Sequence, residues 1–372
     1  MKSHIALVAD KGALVVKSVK PTPTPSCLGS ADEFMKLPSV SVILVSYKQE
    51  RYVKQALLGA LNQDLPAYEL IIGDDASPDA TVAVIESVLA ENPRPHVTVK
   101  FIKHEKNLGV VANFNATLAV ATGEIFVVMA GDDVSYPSRA RLMAEAFAQN
   151  PKVRAMTCAS RYIDAEGAPI PSRPASLITR TFEHGGWRKN LYAGAPVTGA
   201  VAAYHRSLLD VFGPLPPGGG AEDADSIFRA LILGSVMYYG TILVDYRMHA
   251  SNVSNFDIRE RSEQEMIEGE AQWASLVATK STKWMSDLES ARRGGQVDKK
   301  RFALVASLVR RSICRHELAS LSLSNAPRSL WFPSAWRLIK CGGIIKTASL
   351  FFMWVSDWRK YSHIRRVRRR KT

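Results

Sequence analysis

The sequence is poor in cysteine. Its 372 residues contain four, Cys27, Cys158, Cys314 and Cys341, and these are far apart along the chain. A disulfide-stapled scaffold and a zinc ribbon both need closely paired cysteines, so the spacing excludes both and fits a reducing compartment.

Glycine-rich phosphate loops are also missing. No G-x-G-x-x-G motif follows the first predicted strand, and no G-x-x-x-x-G-K-[ST] motif occurs anywhere. The turn after that strand contains Lys48 and Arg51 instead. A dinucleotide-binding or P-loop enzyme is therefore disfavoured, and any bound nucleotide would be held by side chains and a metal ion.

Long apolar runs are absent. The most apolar late stretch, Cys341–Ser356, is short and contains Lys346, whereas a membrane-spanning helix needs about 20 apolar residues. Near the start, Asp10 and Lys11 interrupt the apolar stretch Ile5–Ala9, and no small-residue cleavage site follows it. We therefore expect a cytoplasmic protein.

Acidic residues are scarce in the last fifth of the chain. Residues 301–372 carry 16 Lys and Arg against two acids (net +14), whereas residues 1–300 carry 32 against 33 (net −1). The near-neutral body gives no electrostatic reason to expect nucleic-acid binding. In the tail, residues 334–372, three tryptophans precede the basic run Tyr361–Lys371. This composition favours contact with an anionic membrane, and the alternative is a solvated basic tail.

Three regions are predicted. Residues 1–37 contain a Pro-Thr-Pro-Thr-Pro spacer and read as a flexible N-terminal arm. Residues 38–258 alternate between strand and helix patterns, which predicts a mostly parallel sheet with helices on both faces. In residues 259–372 the strand signals fade, and we expect a helical C-terminal extension.

Paired acids follow two of the predicted strands. Asp74 and Asp75 end one strand, Tyr68–Gly73, and Asp132 and Asp133 follow another. Ligands of such sheets bind beyond the carboxyl ends of the strands. Each pair alone is also explained by turn and capping preferences. Four carboxylates on one rim repel each other, and a divalent cation with a phosphate ligand would relieve that repulsion.

Two later segments add candidate groups. The glycines before Ala221 lead into a helix that starts with Glu222 and Asp223, which is typical either of first-turn acids or of a base on a hinged loop. Arg247 and His249 alternate on a strand-like segment, and these residue types suit a phosphate and a metal.

Several motifs in order resemble the family 2 glycosyltransferases, which have the type A fold (GT-A, Rossmann-like). The resemblance runs from Val40 to about Ser254. It rests on VILVSY before Lys48, ELIIGDDASPD, Asn107-Leu-Gly109, Ala121-Thr-Gly-Glu124, Gly131-Asp-Asp133, Ala221-Glu-Asp223 and Tyr246-Arg-x-His249.

The resemblance implies a role for each matched position. Asp223 would be the catalytic base, and Asp132 and His249 would bind Mg²⁺ or Mn²⁺. The nucleotide-sugar would contact seven residues: Ser46, Tyr47, Asp75, Asn107, Gly131, Asp132 and Arg247. One departure affects the metal motif, which often begins with an additional Asp where this sequence has Ala130.

The resemblance therefore implies an inverting, metal-dependent glycosyltransferase in cell-surface polysaccharide or lipopolysaccharide biosynthesis. Its partners would be a nucleotide-sugar donor, a glycan or lipid-linked oligosaccharide acceptor and the inner face of the plasma membrane, reached through 334–372. Two alternatives stay open. Lys48 and Arg51 would suit a nucleotidyltransferase, and Ala130 would suit a non-catalytic carbohydrate-binding or scaffold protein.

Overall fold

The computed structural model describes residues 37–171, 177–182, 199–216, 222–252 and 263–323. The predicted arm, the glycine loop before Glu222, the boundary at 258 and the basic tail lie outside these residues, apart from Leu37.

The first half of the chain alternates between buried strands and amphipathic helices. Its elements are β1 (Val40–Ser46), α1 (Val53–Leu61), β2 (Tyr68–Asp74), α2 (Thr81–Glu91), β3 (Val97–Lys103), α3 (Val110–Val120), β4 (Ile125–Ala130), β5 (Val134–Ser135) and α4 (Arg139–Gln149). β1 and β4 are almost wholly buried, as expected for strands covered on both faces.

The second half adds strands of mixed direction and ends in two long helices. Its elements are β6 (Val153–Ile163), β7 (Arg180–Phe182), a short 3₁₀ turn (Gly199–Val201), β8 (Ala202–His205), α5 (Ser207–Phe212), α6 (Glu222–Leu233), β9 (Ser235–Arg247), α7 (Glu263–Arg293) and α8 (Lys299–Leu323).

All the described strands belong to one sheet, in the order β3-β2-β1-β4-β8-β6-β9-β5, with β7 also paired to β9. The pairs β1–β2, β2–β3 and β1–β4 are parallel. β8 is antiparallel to both β4 and β6, and β6 is parallel to β9. The predicted α/β fold class is confirmed, with the uniformly parallel part confined to the first half.

Helices cover both faces of this sheet. Apolar side chains from α1, α2 and α4 form one core with one face of the strands, as Leu57, Ile85 and Met143 illustrate. The opposite face packs against α3, α6 and the two C-terminal helices, and its core includes Phe114 and Leu231. Successive β1 residues alternate between the two cores, as the period of a strand requires.

The helices α7 and α8 form an antiparallel hairpin. Trp284, Leu288 and Val309 of this hairpin are buried in the same core as α6. The described part of the extension is therefore packed into the fold rather than set apart from it. In the parts of the chain that the structure describes, no helix is both long enough and apolar enough to cross a membrane.

Candidate active site

The candidate site lies at the carboxyl edge of the parallel strands. Ser46 at the end of β1 is in register with Asp74 of β2, and Val45 is in register with Ala130 of β4. The two acid pairs therefore follow β2 and β4, the strands on either side of β1, at the same edge of the sheet, as the sequence predicts. β5 pairs with the last residues of β9, Val134 with Asp245, and this pairing brings Arg247 and His249 to the same edge.

Asp132 and His249 are in direct contact. Asp132 Oδ2 lies 3.1 Å from His249 Nε2, and only 12% of the Asp132 side chain and 6% of the His249 side chain are exposed. In the described part of the chain, no group of three or more His, Cys, Asp or Glu side chains converges on one point. Mg²⁺ is commonly held by one or two carboxylates together with substrate phosphates and water, so the residues present fit an ion that takes its other ligands from phosphate and water.

The His249 ring is fixed from two other sides. Its Nδ1 lies 2.9 Å from the Ser251 hydroxyl, and the ring stacks on Tyr52 with centroids 4.7 Å apart and planes 28° apart. Asn252 closes the turn, since its Oδ1 accepts from His249 N at 2.6 Å and its amide donates to Arg247 O at 2.7 Å. These contacts leave Nε2 directed at Asp132.

Arg247 is buried, with 1% of its surface exposed. Its Nε donates to Asp132 O at 2.8 Å and its Nη2 to Gln55 Oε1 at 2.6 Å. Its Nη1 donates to the carbonyl oxygens of Asp164 and Ala165 at 3.2 and 3.0 Å. The resemblance implies that Arg247 contacts phosphate. In this structure its guanidinium binds backbone and side-chain acceptors, and one of these bonds, to Asp132 O, holds the backbone of Asp132.

The acids Asp132 and Asp133 differ in environment. Asp133 is 4% exposed, its Oδ1 accepts from Arg247 N at 2.8 Å, and its Oδ2 has no hydrogen-bond partner among the described residues. Burial, together with the neighbouring charge of Asp132, raises the pKa of Asp133 well above its usual range. Asp132 is thus the better placed of the two to face a cation.

Sequence patterns gave no signal for Arg139, a fully buried cation beneath the site. Its guanidinium donates to Ser135 Oγ at 2.8 Å and to the carbonyls of Val128, Ala200 and Ala202 at 2.6 to 3.3 Å. Burial lowers the pKa of Arg139. Arg on an amphipathic helix normally predicts a surface position, so only the tertiary structure reveals that it ties β4 to the 3₁₀ turn.

Asp74 and Ser46 bind each other rather than facing the edge. The Ser46 hydroxyl donates to Asp74 Oδ2 at 3.0 Å, and Ser77 donates to the same carboxylate through its backbone N (2.8 Å) and its hydroxyl (2.6 Å). Both Asp74 and Ser46 are buried. For Asp74, the turn-forming interpretation of the acid pair matches these contacts.

Asp75 orders the start of α3. Its Oδ1 accepts from Leu108 N at 2.7 Å and its Oδ2 from Gly109 N at 2.8 Å. Asn107, which is exposed, donates to Asp75 O at 3.4 Å. A carboxylate has about four acceptor positions, so Asp75 keeps acceptor capacity for a ligand after these two bonds.

The loop after β1 presents an accessible aromatic ring. The Tyr47 side chain is 39% exposed, and the Lys48 ammonium lies 5.2 Å from its ring centroid. Lys48 has φ 55° and Ala76 on the facing loop has φ 58°, a strained conformation that clusters at functional sites. Gly131 lies against this loop, where an added Cβ would overlap the Gln49 amide.

The start of α6 reaches the same edge. β8 is antiparallel to β4, so the 3₁₀ turn before β8 lies beside the carboxyl end of β4. An added Cβ at Gly199 in that turn would overlap the Glu222 carboxylate. Asp223, half-buried, follows in the first turn of α6, and its Oδ1 lies 2.6 Å from Ala224 N. Burial, and next the charges of Glu222 and Asp223, raise the pKa of Tyr204 well above its usual range.

Comparisons with known proteins match the chain to glycosyltransferases. The family described as "Glycosyl transferase family 2" matches residues 41–213. An uncharacterized glycosyltransferase of Haemophilus influenzae is 25% identical over 243 residues, which cover 61% of this chain and 70% of that protein. The family match includes Asp75 and Asp132 and ends before Asp223 and His249.

Two solved structures align with most of the chain. One is S. aureus TarS 1–349 in complex with UDP-GlcNAc, at 18% identity and a TM-score of 0.48, covering 82% of this chain and 89% of that one. The other is the mannosyltransferase PcManGT from Pyrobaculum calidifontis in complex with GDP-Man and Mn²⁺, at 20% identity and a TM-score of 0.44, covering 86% and 80%.

Proposed function

From the premise that residues 41–213 belong to glycosyl transferase family 2, we propose that this protein is an inverting, metal-dependent glycosyltransferase. It transfers a sugar from a nucleotide-sugar to a hydroxyl of a glycan or lipid-linked acceptor in cell-surface polysaccharide biosynthesis. The observation that carries the proposal is the buried Asp132–His249 pair at the carboxyl edge of the sheet, held in place by Arg247 and Tyr52.

Asp132 and His249 would supply the protein ligands of the metal ion. Asp132 Oδ2 and His249 Nε2 lie 3.1 Å apart, and these two atoms would hold the ion together. The Asp132 carboxylate suits Mn²⁺ as well as Mg²⁺, and a neutral imidazole such as that of His249 is a common metal ligand. When bound, the cation offsets the negative charge that develops on the diphosphate leaving group. Asp132 and His249 hold this position, while Arg247 fixes the backbone carbonyl of Asp132 from behind.

The nucleotide binds between the β1 and β2 loops. The exposed face of Tyr47 takes the base by stacking. Asp75 is rigidly held by Leu108 N and Gly109 N, and its remaining acceptor positions take hydroxyl groups of the ribose or donors of the base. Gly131 lets the chain between β4 and Asp132 pass close to this loop.

Asp223 acts as the base. Cleavage at the anomeric carbon gives the sugar oxocarbenium character, and the acceptor hydroxyl loses its proton to a positioned carboxylate as the new bond forms. One base opposite the leaving group gives inversion without a covalent enzyme intermediate. The position of Asp223 beside the 3₁₀ turn, next to the carboxyl end of β4, supports this role.

Calorimetric titration with UDP, GDP, dTDP and CMP, each with Mn²⁺ and again with chelator, tests the proposal. We expect one nucleotide to bind in a metal-dependent manner, and Asp132→Asn to weaken that binding at least tenfold. Asp223→Asn should keep the affinity but abolish turnover of the corresponding nucleotide-sugar. The matched control is Asp210→Asn, since Asp210 is exposed and lies in the first turn of α5, after β8, at the opposite edge of the sheet.

Three results would count against the proposal. Metal-independent binding with unchanged affinity in Asp132→Asn removes the metal role. Full turnover in Asp223→Asn removes the base assignment. No binding of any nucleotide favours the non-catalytic alternative.

A further inference from the structure

We propose that the α7–α8 hairpin positions α6, the helix that carries the proposed base, and that Trp284 is a positioning residue for Asp223. This inference rests on the base assignment made above. Three contacts, spread along α6 from its first turn to its last, carry it.

The first contact is at the start of α6. Trp284 Nε1 donates to Asp225 Oδ1 at 2.7 Å, and both residues are buried, at 7% and 1% exposure. The Trp284 ring also stacks on Phe228, with centroids 4.6 Å apart and planes 7° apart. Asp225 is two residues beyond Asp223 in the same helical turn, so a rotation of this turn would move both carboxylates together.

The second contact is in the middle of α6. Arg229 forms a two-pronged pair with Asp287 on α7, with Nε–Oδ2 at 2.8 Å and Nη2–Oδ1 at 3.1 Å. The Arg229 side chain is 4% exposed. Its remaining donors reach the carbonyls of Gly213 and Pro214 at 2.8 and 3.2 Å. A planar, paired contact of this kind fixes orientation as well as distance.

The third contact is at the end of α6. Arg301 of α8 donates through Nη2 to the carbonyl oxygens of Leu231, at 2.9 Å, and Ile232. The last carbonyls of a helix have no partner within the helix, and a cation there also suits the helix dipole. The hairpin therefore holds α6 at its start, middle and end.

Positioning of this kind has a direct kinetic meaning. A misplacement of about 1 Å can lower a rate about a hundredfold, whereas donor binding between the β1 and β2 loops does not involve α6. Loosening the start of α6 should therefore lower kcat without changing the donor KM.

Hydrogen–deuterium exchange on the full chain provides the first test. We expect Trp284→Phe, which removes the indole donor and keeps a ring against Phe228, to lower protection of peptides covering 222–233 about tenfold. Peptides covering 53–61 should be unchanged. Asp225→Asn keeps an acceptor oxygen for Trp284 and should preserve most of the protection that Asp225→Leu loses. Leu304→Ala, at a 56% exposed position of α8, is the surface control.

Kinetics provides the second test. The substrate is the nucleotide-sugar of whichever nucleotide binds in the titration above, with water as acceptor. We expect Trp284→Phe to lower kcat about tenfold with unchanged donor KM. Unchanged kcat, or kcat and nucleotide affinity falling together, overturns the proposal, as does unaltered protection of 222–233.

Two further results keep the outcomes distinct. If Trp284→Phe does not fold, Asp287→Asn is the second variant, and the same kinetic pattern is expected with a smaller effect. Full turnover in Asp223→Asn would overturn the base assignment. Lost protection in Trp284→Phe would then still support the proposal that the α7–α8 hairpin positions α6.

Discussion

At the scale of single residues, one aromatic ring connects the two basic groups of the site. The Tyr52 ring, 9% exposed, stacks on His249 and lies 4.9 Å from the guanidinium carbon of Arg247. Cation–π contact with a desolvated guanidinium is worth about 2 kcal/mol. Tyr52 therefore restrains both His249, the proposed metal ligand, and Arg247, which supports Asp132.

This arrangement gives a prediction for Tyr52. Tyr52→Leu should weaken metal-dependent nucleotide binding about tenfold, because His249 loses the surface that sets its ring plane. Tyr52→Phe keeps the ring and should bind like the parent. Calorimetry with Mn²⁺ and the preferred nucleotide measures both, and equal affinity for Tyr52→Leu and Tyr52→Phe would rule out the positioning role.

The sequence predicts the position of the acid pairs but not the contacts of each side chain. Acids after two parallel strands predict a shared edge, and the register of β1 with β2 and β4 confirms it. The pattern does not distinguish Asp74, whose oxygens bind Ser46 and Ser77, from Asp75. Nor does the pattern predict that Arg247 binds backbone carbonyls, because these belong to a turn at Asp164 that is far from Arg247 in the sequence.

At the scale of elements, one carboxylate ties together three strands and a loop. Glu69 of β2 accepts from the Ser41 hydroxyl of β1 at 2.6 Å, from Lys100 Nζ of β3 at 2.8 Å and from Thr122 N at 2.7 Å. Burial alone would raise the pKa of Glu69, but these hydrogen bonds outweigh it and lower the pKa to about 2.

The lowered pKa of Glu69 makes the stability of the fold depend on pH. The folded pKa is below the reference value of 4.5, so the stabilisation is complete above pH 4.5 and is lost as the pH falls towards 2. Glu69→Gln should lower the free energy of unfolding by about 1–2 kcal/mol at pH 7, with the difference shrinking as pH falls through that window.

Urea unfolding at pH 7 and at pH 3 measures this effect. Glu86→Gln is the matched control. Glu86 also pairs with a lysine of β3, Lys103, but both of these side chains are about half exposed. An exposed pair contributes at most about 1 kcal/mol. Equal effects of the two substitutions at pH 7 would argue against the Glu69 cluster.

Elements of the first half were predictable because their strands are short, continuous and buried on both faces. The sequence patterns do not predict β6, and the strand-like segment around Arg247 covers only the end of β9. These two strands pair with register shifts, at Cys158 and Ala159 among other points, and several of their residues are exposed. Bulges and exposed positions break the apolar pattern on which a sequence-based strand assignment depends.

At the scale of the whole molecule, charge is distributed unevenly. The chain carries a net charge of +13, and residues 301–372 alone carry +14 from 16 basic and two acidic residues. The tail proposed to contact membrane, 334–372, lies outside the described residues. Because the basic tail follows the near-neutral body in the sequence, the proposed membrane attachment can be tested separately from nucleotide binding.

Deletion of 334–372 should release the protein from anionic vesicles and leave metal-dependent nucleotide binding unchanged. Each Lys or Arg near an anionic surface contributes about 1 kcal/mol of attraction, so the loss should be large at low salt. Co-sedimentation with phosphatidylserine vesicles, with neutral phosphatidylcholine vesicles as the control, measures it. Undiminished binding after deletion would contradict membrane contact through the tail.

The core shared by the sheet and the hairpin has a consequence for biosynthesis. Ile43 and Val309, from opposite ends of the described chain, belong to the same apolar cluster. Ribosomes add about 5–20 residues per second, so Phe228 emerges roughly 3–11 s before Trp284, which stacks on it. Until α8 has been made, the nascent chain exposes an apolar face that favours aggregation. We expect a chain arrested before the hairpin to depend on chaperones in the cell, and refolding from denaturant to give a higher yield at lower protein concentration.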